Sequence, residues 1–181
     1  MDRRQRKSRE AIFNAFTELV AKKDFNHLTV GEIIELADVG RATFYAHFET
    51  KEYLLKEFCS ELFCHIFDSV SGRTHRHIFD CDAPEEVFLH LFSHLQKNDR
   101  NILSLLSGQN NGLFMEYFRN DLAQLVESQL PVFASRKKES IPDPFWSAYI
   151  TDTFLSTLKW WLQTGMQETP EQITEYFMQV V

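Results

Sequence analysis

Between Thr29 and Phe48 the chain is committed to two short helices with almost nothing between them. Thr29 with Glu32 three residues on is a capping box, in which the hydroxyl accepts a backbone N–H and the glutamate returns the bond. Val30, Ile33, Ile34 and Ala37 follow at helical spacing, Asp38-Val39-Gly40 forces a tight break, and Arg41 to His47 is a very short further helix. A longer helix from about Lys7 to Lys22 precedes them, with Ile12, Phe13, Phe16, Leu19 and Val20 on one face. The connector Asp24 to Leu28 offers Phe25 and Leu28 as plugs beneath it. Two short helices joined by a tight turn behind a supporting helix are the signature of a helix-turn-helix. Two ordinary helices of a bundle satisfy the same periodicity, so spacing alone leaves both open.

The rest of the chain is helical too. Glycine (6) and proline (5) are scarce and alternating runs are absent, which predicts an all-α fold. Thr50 caps a helix starting at Lys51 and running through Leu54, Leu55, Phe58, Leu62 and Ile66. Five more follow: Asp82 and Pro84 to about Gln96, Asp99 to Ser107, Leu113 to about Leu130, Asp143-Pro144 to Gly165, and a last one opened by Thr169-Pro170 with Gln172 completing a second capping box. The expectation is about nine helices, divided into a helix-turn-helix head at 1–50 and a helical body at 51–181, with the helix from Lys51 connecting them.

Charge supports that division. The net charge of −7 is carried entirely by residues 59–181, with nine basic against sixteen acidic residues, whereas residues 1–58 balance at ten and ten. Arg3, Arg4, Arg6, Lys7 and Arg9 face only Asp2 at the tip. A neutral head with a basic tip on an acidic body can present its charge locally to phosphates. No stretch approaches the roughly 18 apolar residues of a membrane span, and Cys59, Cys64 and Cys81 form no C-x-x-C pair, which reads as idle thiols in a reducing, cytoplasmic compartment.

A helix meant for the DNA major groove must be short and polar outward, and Arg41, Ala42, Thr43, Tyr45 and His47 meet that need while Phe44 and Phe48, four apart, anchor the other face. Ala42 lets the backbone approach, Thr43 suits a base edge or thymine methyl, and Arg41 a guanine or the backbone. Tyr45, His47, Lys51 and Thr29 suit phosphate oxygens, and an N-terminal arm of Arg3, Arg4 and Arg6 suits a flanking phosphate or the minor groove.

The run from Thr29 to Leu54 resembles the DNA-binding domain of the TetR family of regulators. The matching elements are Ile33-Ile34…Ala37, Val39 in the turn, Thr43-Phe44-Tyr45, and Phe48 followed three residues later by Lys51. The family usually has glycine before Val39 and serine or threonine after it; Asp38 and Gly40 depart from that. The stretch Leu158 to Glu171, with Trp160-Trp161 and Gly165, is similar to the end of the effector domain in a subgroup that includes dihydroxyacetone-kinase operon regulators. The resemblance implies a homodimer formed by the last two helices, a near-palindromic double-stranded operator and an unknown small-molecule effector bound among the middle helices. On that footing Ile150, Phe154, Leu158, Trp161, Ile173, Tyr176, Phe177, Val180 and Val181 are expected at the dimer interface. The effector pocket is expected from Phe63, Phe67, Phe88, Phe92, Phe114, Tyr117, Phe118, Trp146 and Tyr149, which equally suit a plain core.

The function expected is a ligand-released repressor; the alternatives are an activator of the same family, or a helical small-molecule binding protein whose head is vestigial. His90 and His94 share a helix face at a metal-compatible spacing, within a looser cluster of Cys59, Cys64, His65, His75, His77 and Cys81, but no carboxylate joins them at matching spacing, so neither metal nor cofactor is expected. No G-x-S-x-G, P-loop or H-E-x-x-H is present, so no catalytic residue and no enzyme is expected. Glu85-Glu86 reads as first-turn charge and Lys137-Lys138 as a solvated loop.

Overall fold

The computed structural model describes residues 3–70, 87–97, 105 and 112–181, and for 65–70 only the backbone. Among the described residues all regular structure is helical: α1 (Arg3–Val20), α2 (Val30–Leu36), α3 (Arg41–His47), α4 (Lys51–Val70), α5 (Val87–Lys97), α6 (Gly112–Ser128), α7 (Asp143–Gln163) and α8 (Pro170–Val180). Leu105 apart, the helix expected at 99–107 lies outside the described residues, as do the starts expected at Asp82 and Pro84, the acidic pair Glu85-Glu86, His75, His77, Cys81 and the side chains of His65 and Phe67.

Local chemistry sets the boundaries. Both capping boxes form, at Thr29 with Glu32 and at Thr169 with Gln172. Thr50 Oγ1 accepts the Tyr53 N–H and so opens α4. α7 begins one residue earlier than expected, with Pro142 as its cap, because Lys137 takes the Asp143 carboxylate. That contact, with a second bond from Lys137 to the Ile141 carbonyl at 3.0 Å, shows that Lys137 pins the loop and is not merely solvated. α7 ends in a Schellman motif: Gly165 takes φ 77°, its N–H reaches Leu162 O, and Met166 N–H reaches Trp161 O.

One continuous apolar core runs through the chain. In the first three helices, Phe13, Phe16, Phe44 and Phe48 are buried, with Phe13 and Phe48 edge to face at 5.3 Å. α4 links this part to the rest: Phe58 packs on Phe16 at 5.7 Å, and further along Phe63 packs on Phe118 of α6 at 5.1 Å. The opposite end is aromatic: Phe92 stacks on Phe154 at 4.5 Å and meets Trp161 edge-on, while Phe88 lies 5.0 Å from Phe177. Each such ring contributes on the order of 2 kcal/mol through burial alone.

Two expectations fail in this core. Ile150, Phe154, Leu158, Trp161, Ile173 and Phe177 are all buried within their own chain, so they are not surface available to a partner. Phe154 and Phe177 touch Phe88 and Phe92, and Trp161 touches Phe92, so two sets expected to serve separate roles form one packed core. Of the expected interface residues, Tyr176 (45% exposed) and Val180 (59%) face outward. Among the expected pocket residues, Tyr149 also faces out, its hydroxyl donating to Val180 O at 3.3 Å, whereas Phe63, Phe114, Phe118 and Trp146 are buried and Tyr117 is half-buried. The cause is that α7 carries apolar residues on more than one side. The sequence pattern finds a stripe but cannot say which stripe the chain itself covers.

Candidate nucleic-acid interface

The turn between α2 and α3 is a Schellman motif with an unusual occupant. Asp38 sits at φ 50°, where glycine is the favoured residue; its N–H reaches Glu35 O and the Val39 N–H reaches Ile34 O, while Val39 and Ile34 both pack on the core. Gly40 then caps α3 with extended backbone (φ −72°, ψ 152°) and supplies no side-chain bond. α3 is oriented by its two phenylalanines: Phe44 and Phe48 are buried 5.8 Å apart, and the Phe48 N–H closes the helix on Phe44 O at 2.8 Å. Consequently Arg41, Ala42 and Tyr45 stand on the exposed side, with Thr43 and His47 half-buried at its edges. The Tyr45 ring rests edge-on against Phe44 at 5.4 Å, which steadies it while its hydroxyl end stays in solvent.

Not every expected contact stands free. Lys51 Nζ donates to the carbonyls of Phe25 (3.0 Å), Asn26 (3.2 Å) and Leu28 (2.9 Å) and lies 4.7 Å from the centre of the Phe25 ring. An ammonium has three protons, and here all three are used. Lys51 is therefore a clamp holding the α1–α2 connector against α4, a correction to its expected role as a phosphate ligand. Thr29 is partly committed too: its Oγ1 accepts the Glu32 N–H at 3.2 Å and donates to Glu32 Oε2 at 2.8 Å. Arg3, Arg4 and Arg6 form the first turns of α1, not a loose arm; all are exposed, and Arg6 pairs with Glu10 at 3.5 Å.

Electrostatics around the motif are local. Glu32 accepts bonds from Lys23 Nζ (2.7 Å) and from the Thr29 backbone and hydroxyl, which lower its pKa to about 2. His47 is pushed below the ordinary histidine value, first by burial and then by the charge of Arg9, so near neutral pH it offers an uncharged imidazole and not a cation. Sequence reasoning missed Lys23 and placed Arg9 only among the charges of the basic tip. Arg9 donates to Glu61 at 2.6 Å and Glu57 at 3.0 Å, partners about fifty positions away, and no short-range signal marks it.

The two histidines at metal-compatible spacing are buried: His90 is 0% and His94 2% exposed, rings 4.9 Å apart. Among the described residues no group of three or more metal-ligating side chains converges. Cys59 is buried and its thiol is pushed well up by desolvation; Cys64 is exposed. No helix among the described residues is long and apolar enough to cross a membrane.

A capped two-helix unit with its second helix turned outward on a helical body defines a helix-turn-helix protein of the transcription-regulator class. Residues 8–58 match the family described as bacterial regulatory proteins, tetR family, and residues 82–181 match the TetR transcriptional regulator C-terminal region. A TetR transcriptional regulator from Streptococcus agalactiae 2603V has the same fold at TM-score 0.75 and 35% identity, covering 99% of this chain and 96% of that one. The fatty acid degradation regulator FadR from Bacillus halodurans shares the fold at TM-score 0.64 and 17% identity, over 96% and 93% of the two chains. The uncharacterized HTH-type transcriptional regulator YxbF of Bacillus subtilis is 24% identical over 99% of this chain, which spans 46% of that protein's length. YvdT of the same organism, another uncharacterized HTH-type regulator, is 29% identical over 36% of this chain and 34% of its own length. The chain belongs to the TetR family of transcriptional regulators, and its relatives are regulators, not enzymes.

Proposed function

We propose that the chain is a dimeric repressor that binds a near-palindromic operator through α3 and releases it when a small molecule binds the body. The observation that carries this is the two-sided character of α3: Phe44 and Phe48 are buried while Arg41, Ala42 and Tyr45 face solvent on the same short helix. Arg41 reads or grips the groove edge, Ala42 allows close approach, Thr43 and Tyr45 supply hydroxyls, and His47 supplies a neutral polar contact. Arg3, Arg4 and Arg6, carried on the exposed first turns of α1, add phosphate attraction. Head 1–50 and body 51–181 then act through α4, which meets the head through Phe58 on Phe16 at one end and packs on α5 and α6 at the other.

The effector is proposed to lodge between α4, α5 and α6. On α7, which packs on α6, the buried Trp146 indole N–H has no hydrogen-bond acceptor among the described residues, and such an orphan costs about 1–3 kcal/mol that a ligand oxygen would recover. Effector and operator would then weaken each other's binding reciprocally by tilting α4. The likeness of residues 158–171 to the dihydroxyacetone-kinase operon regulators supports activation as the second sign of control.

The test is electrophoretic mobility shift on the DNA upstream of the protein's own gene, with transcription from that promoter measured in parallel. A specific shift weakened by Tyr45→Phe and by Arg41→Ala, with transcription falling on binding, supports repression; rising transcription supports the second sign. Absence of any specific shift would mark the head as vestigial and sink the reading.

A further inference from the structure

We propose that Arg9 is a positioning residue for DNA binding: forked between Glu57 and Glu61 and laid over Phe13 and Phe48, it fixes the three-helix head on α4. Its two terminal nitrogens reach two carboxylates one helical turn apart, NH2 to Glu57 Oε2 at 3.0 Å and NH1 to Glu61 Oε1 at 2.6 Å. Two acids at that spacing repel and weaken a helix, so α4 needs a cation here. A guanidinium can serve both partners at once where a point-like ammonium cannot. All three side chains are 22–31% exposed, enough covering to limit screening by salt.

The same group is held from beneath by rings. The guanidinium carbon lies 4.6 Å from the centre of Phe13 and 5.8 Å from that of Phe48. Phe48 is the C-cap of α3 and lies 5.8 Å from Phe44. One side chain therefore touches the supporting helix, the end of the groove-facing helix and the connector. Beyond the latch, α4 is gripped by the body, through Phe63 on Phe118 and through an Asp121–Ser60 hydrogen bond from α6. A shift of α4 against the body is thus delivered to α3 through Arg9, where apolar packing alone would let the head pivot.

The head-to-body distance tests this without DNA, effector or dimer contact entering the readout. Spin labels at Glu35→Cys on α2 and Glu127→Cys on α6, both exposed, are introduced into the full chain with Cys64 and Cys81 changed to serine. Cys59 stays, since burial withholds it from the label. Labelled chain diluted in unlabelled chain then reports the distance within one chain by double electron–electron resonance. The wild type is expected to give one narrow distribution, Arg9→Met and Arg9→Lys broader ones, and the charge swap Arg9→Glu with Glu61→Arg a partial return. Operator affinity should fall on the order of tenfold in Arg9→Met, the usual size of a coupling between sites. A distribution for Arg9→Met that superimposes on the wild type overturns the proposal; so does one for Arg9→Lys if the methionine variant fails to fold. Lost affinity with an unmoved distance would make Arg9 an ordinary phosphate contact instead.

Discussion

At Asp38 the backbone holds φ 50° for the sake of a turn that glycine would make without strain. The left-handed region costs most residues about 1–2 kcal/mol, and less for aspartate, so Asp38→Gly should raise stability by about 0.5–1 kcal/mol. Thermal melting of the full chain measures it; an unchanged or lowered midpoint would mean the Asp38 side chain contributes something the turn needs. Gly40→Ser addresses the other departure. A Cβ there meets only Thr43 Oγ1, at an ordinary 3.8 Å, so serine fits and should add a few tenths of a kcal/mol as a cap. Lys51 offers a sharper contrast. If it is the clamp described, Lys51→Met lowers the melting midpoint by the equivalent of about 1–2 kcal/mol, because three carbonyls lose a charged donor. If it grips phosphate, the midpoint stays and the salt slope of DNA binding flattens by about one unit. The turn, the anchors Phe44 and Phe48 and the outward Arg41 and Tyr45 were legible in the sequence because each acts within a few residues of itself. Lys51 was misread because its partners are more than twenty positions away, and nothing in a local pattern distinguishes a carbonyl within the chain from a phosphate outside it.

Helix starts were read to the residue wherever a side chain closes its own cap. α2 and α8 share the same device with different chemistry: an ionised Glu32 at the third position of one, a neutral Gln172 at that position of the other. The difference has a pH signature. Glu32 is held at about 2, against an ordinary 4.5, so it binds protons more weakly folded than unfolded. Its stabilising effect is complete above about pH 4.5 and is lost as pH falls from there toward 2. Glu32→Gln keeps the box, as Gln172 does in α8, but removes the charge and the Lys23 pair. The variant should therefore show a flatter fall of melting midpoint between pH 5 and 2 than the wild type. Parallel curves would mean that acid sensitivity arises elsewhere and that Glu32 is screened by solvent.

For the whole molecule, the decisive surface is the outward side of α7 and α8. Phe145 (63% exposed), Tyr149, Trp160, Tyr176 and Val180 stand there, and a groove lined by Phe145, Ala148, Tyr149, Asp152, Thr153 and Ser156 runs along α7. The spacing of Phe145, Tyr149, Asp152, Ser156 and Trp160 keeps them on one helix side, with Ala148 and Ser156 small enough for a second helix to come close. Such an aromatic face is unusual on a monomer and suits a second copy of the chain. The sequence did reveal that the last two helices carry more apolar surface than one chain needs. It named Ile150, Phe154 and Trp161, which the chain itself buries, beside Tyr176 and Val180, which face out, because Ile150, Phe154 and Trp161 are as periodic as Phe145, Tyr149 and Trp160. The two assignments part company under mutation. Tyr176→Lys with Val180→Glu puts charge on exposed positions, so melting of the separated chain should change little while the mass by light scattering halves and operator binding collapses. Ile173→Ala, buried in α8, should instead cost about 2–5 kcal/mol of stability. Were Ile173→Ala to split a dimer without destabilising the fold, the interface would lie on the side now assigned to the core. Were the double variant to stay dimeric and bind DNA as tightly as wild type, the two heads would have to be paired through some other face of the body.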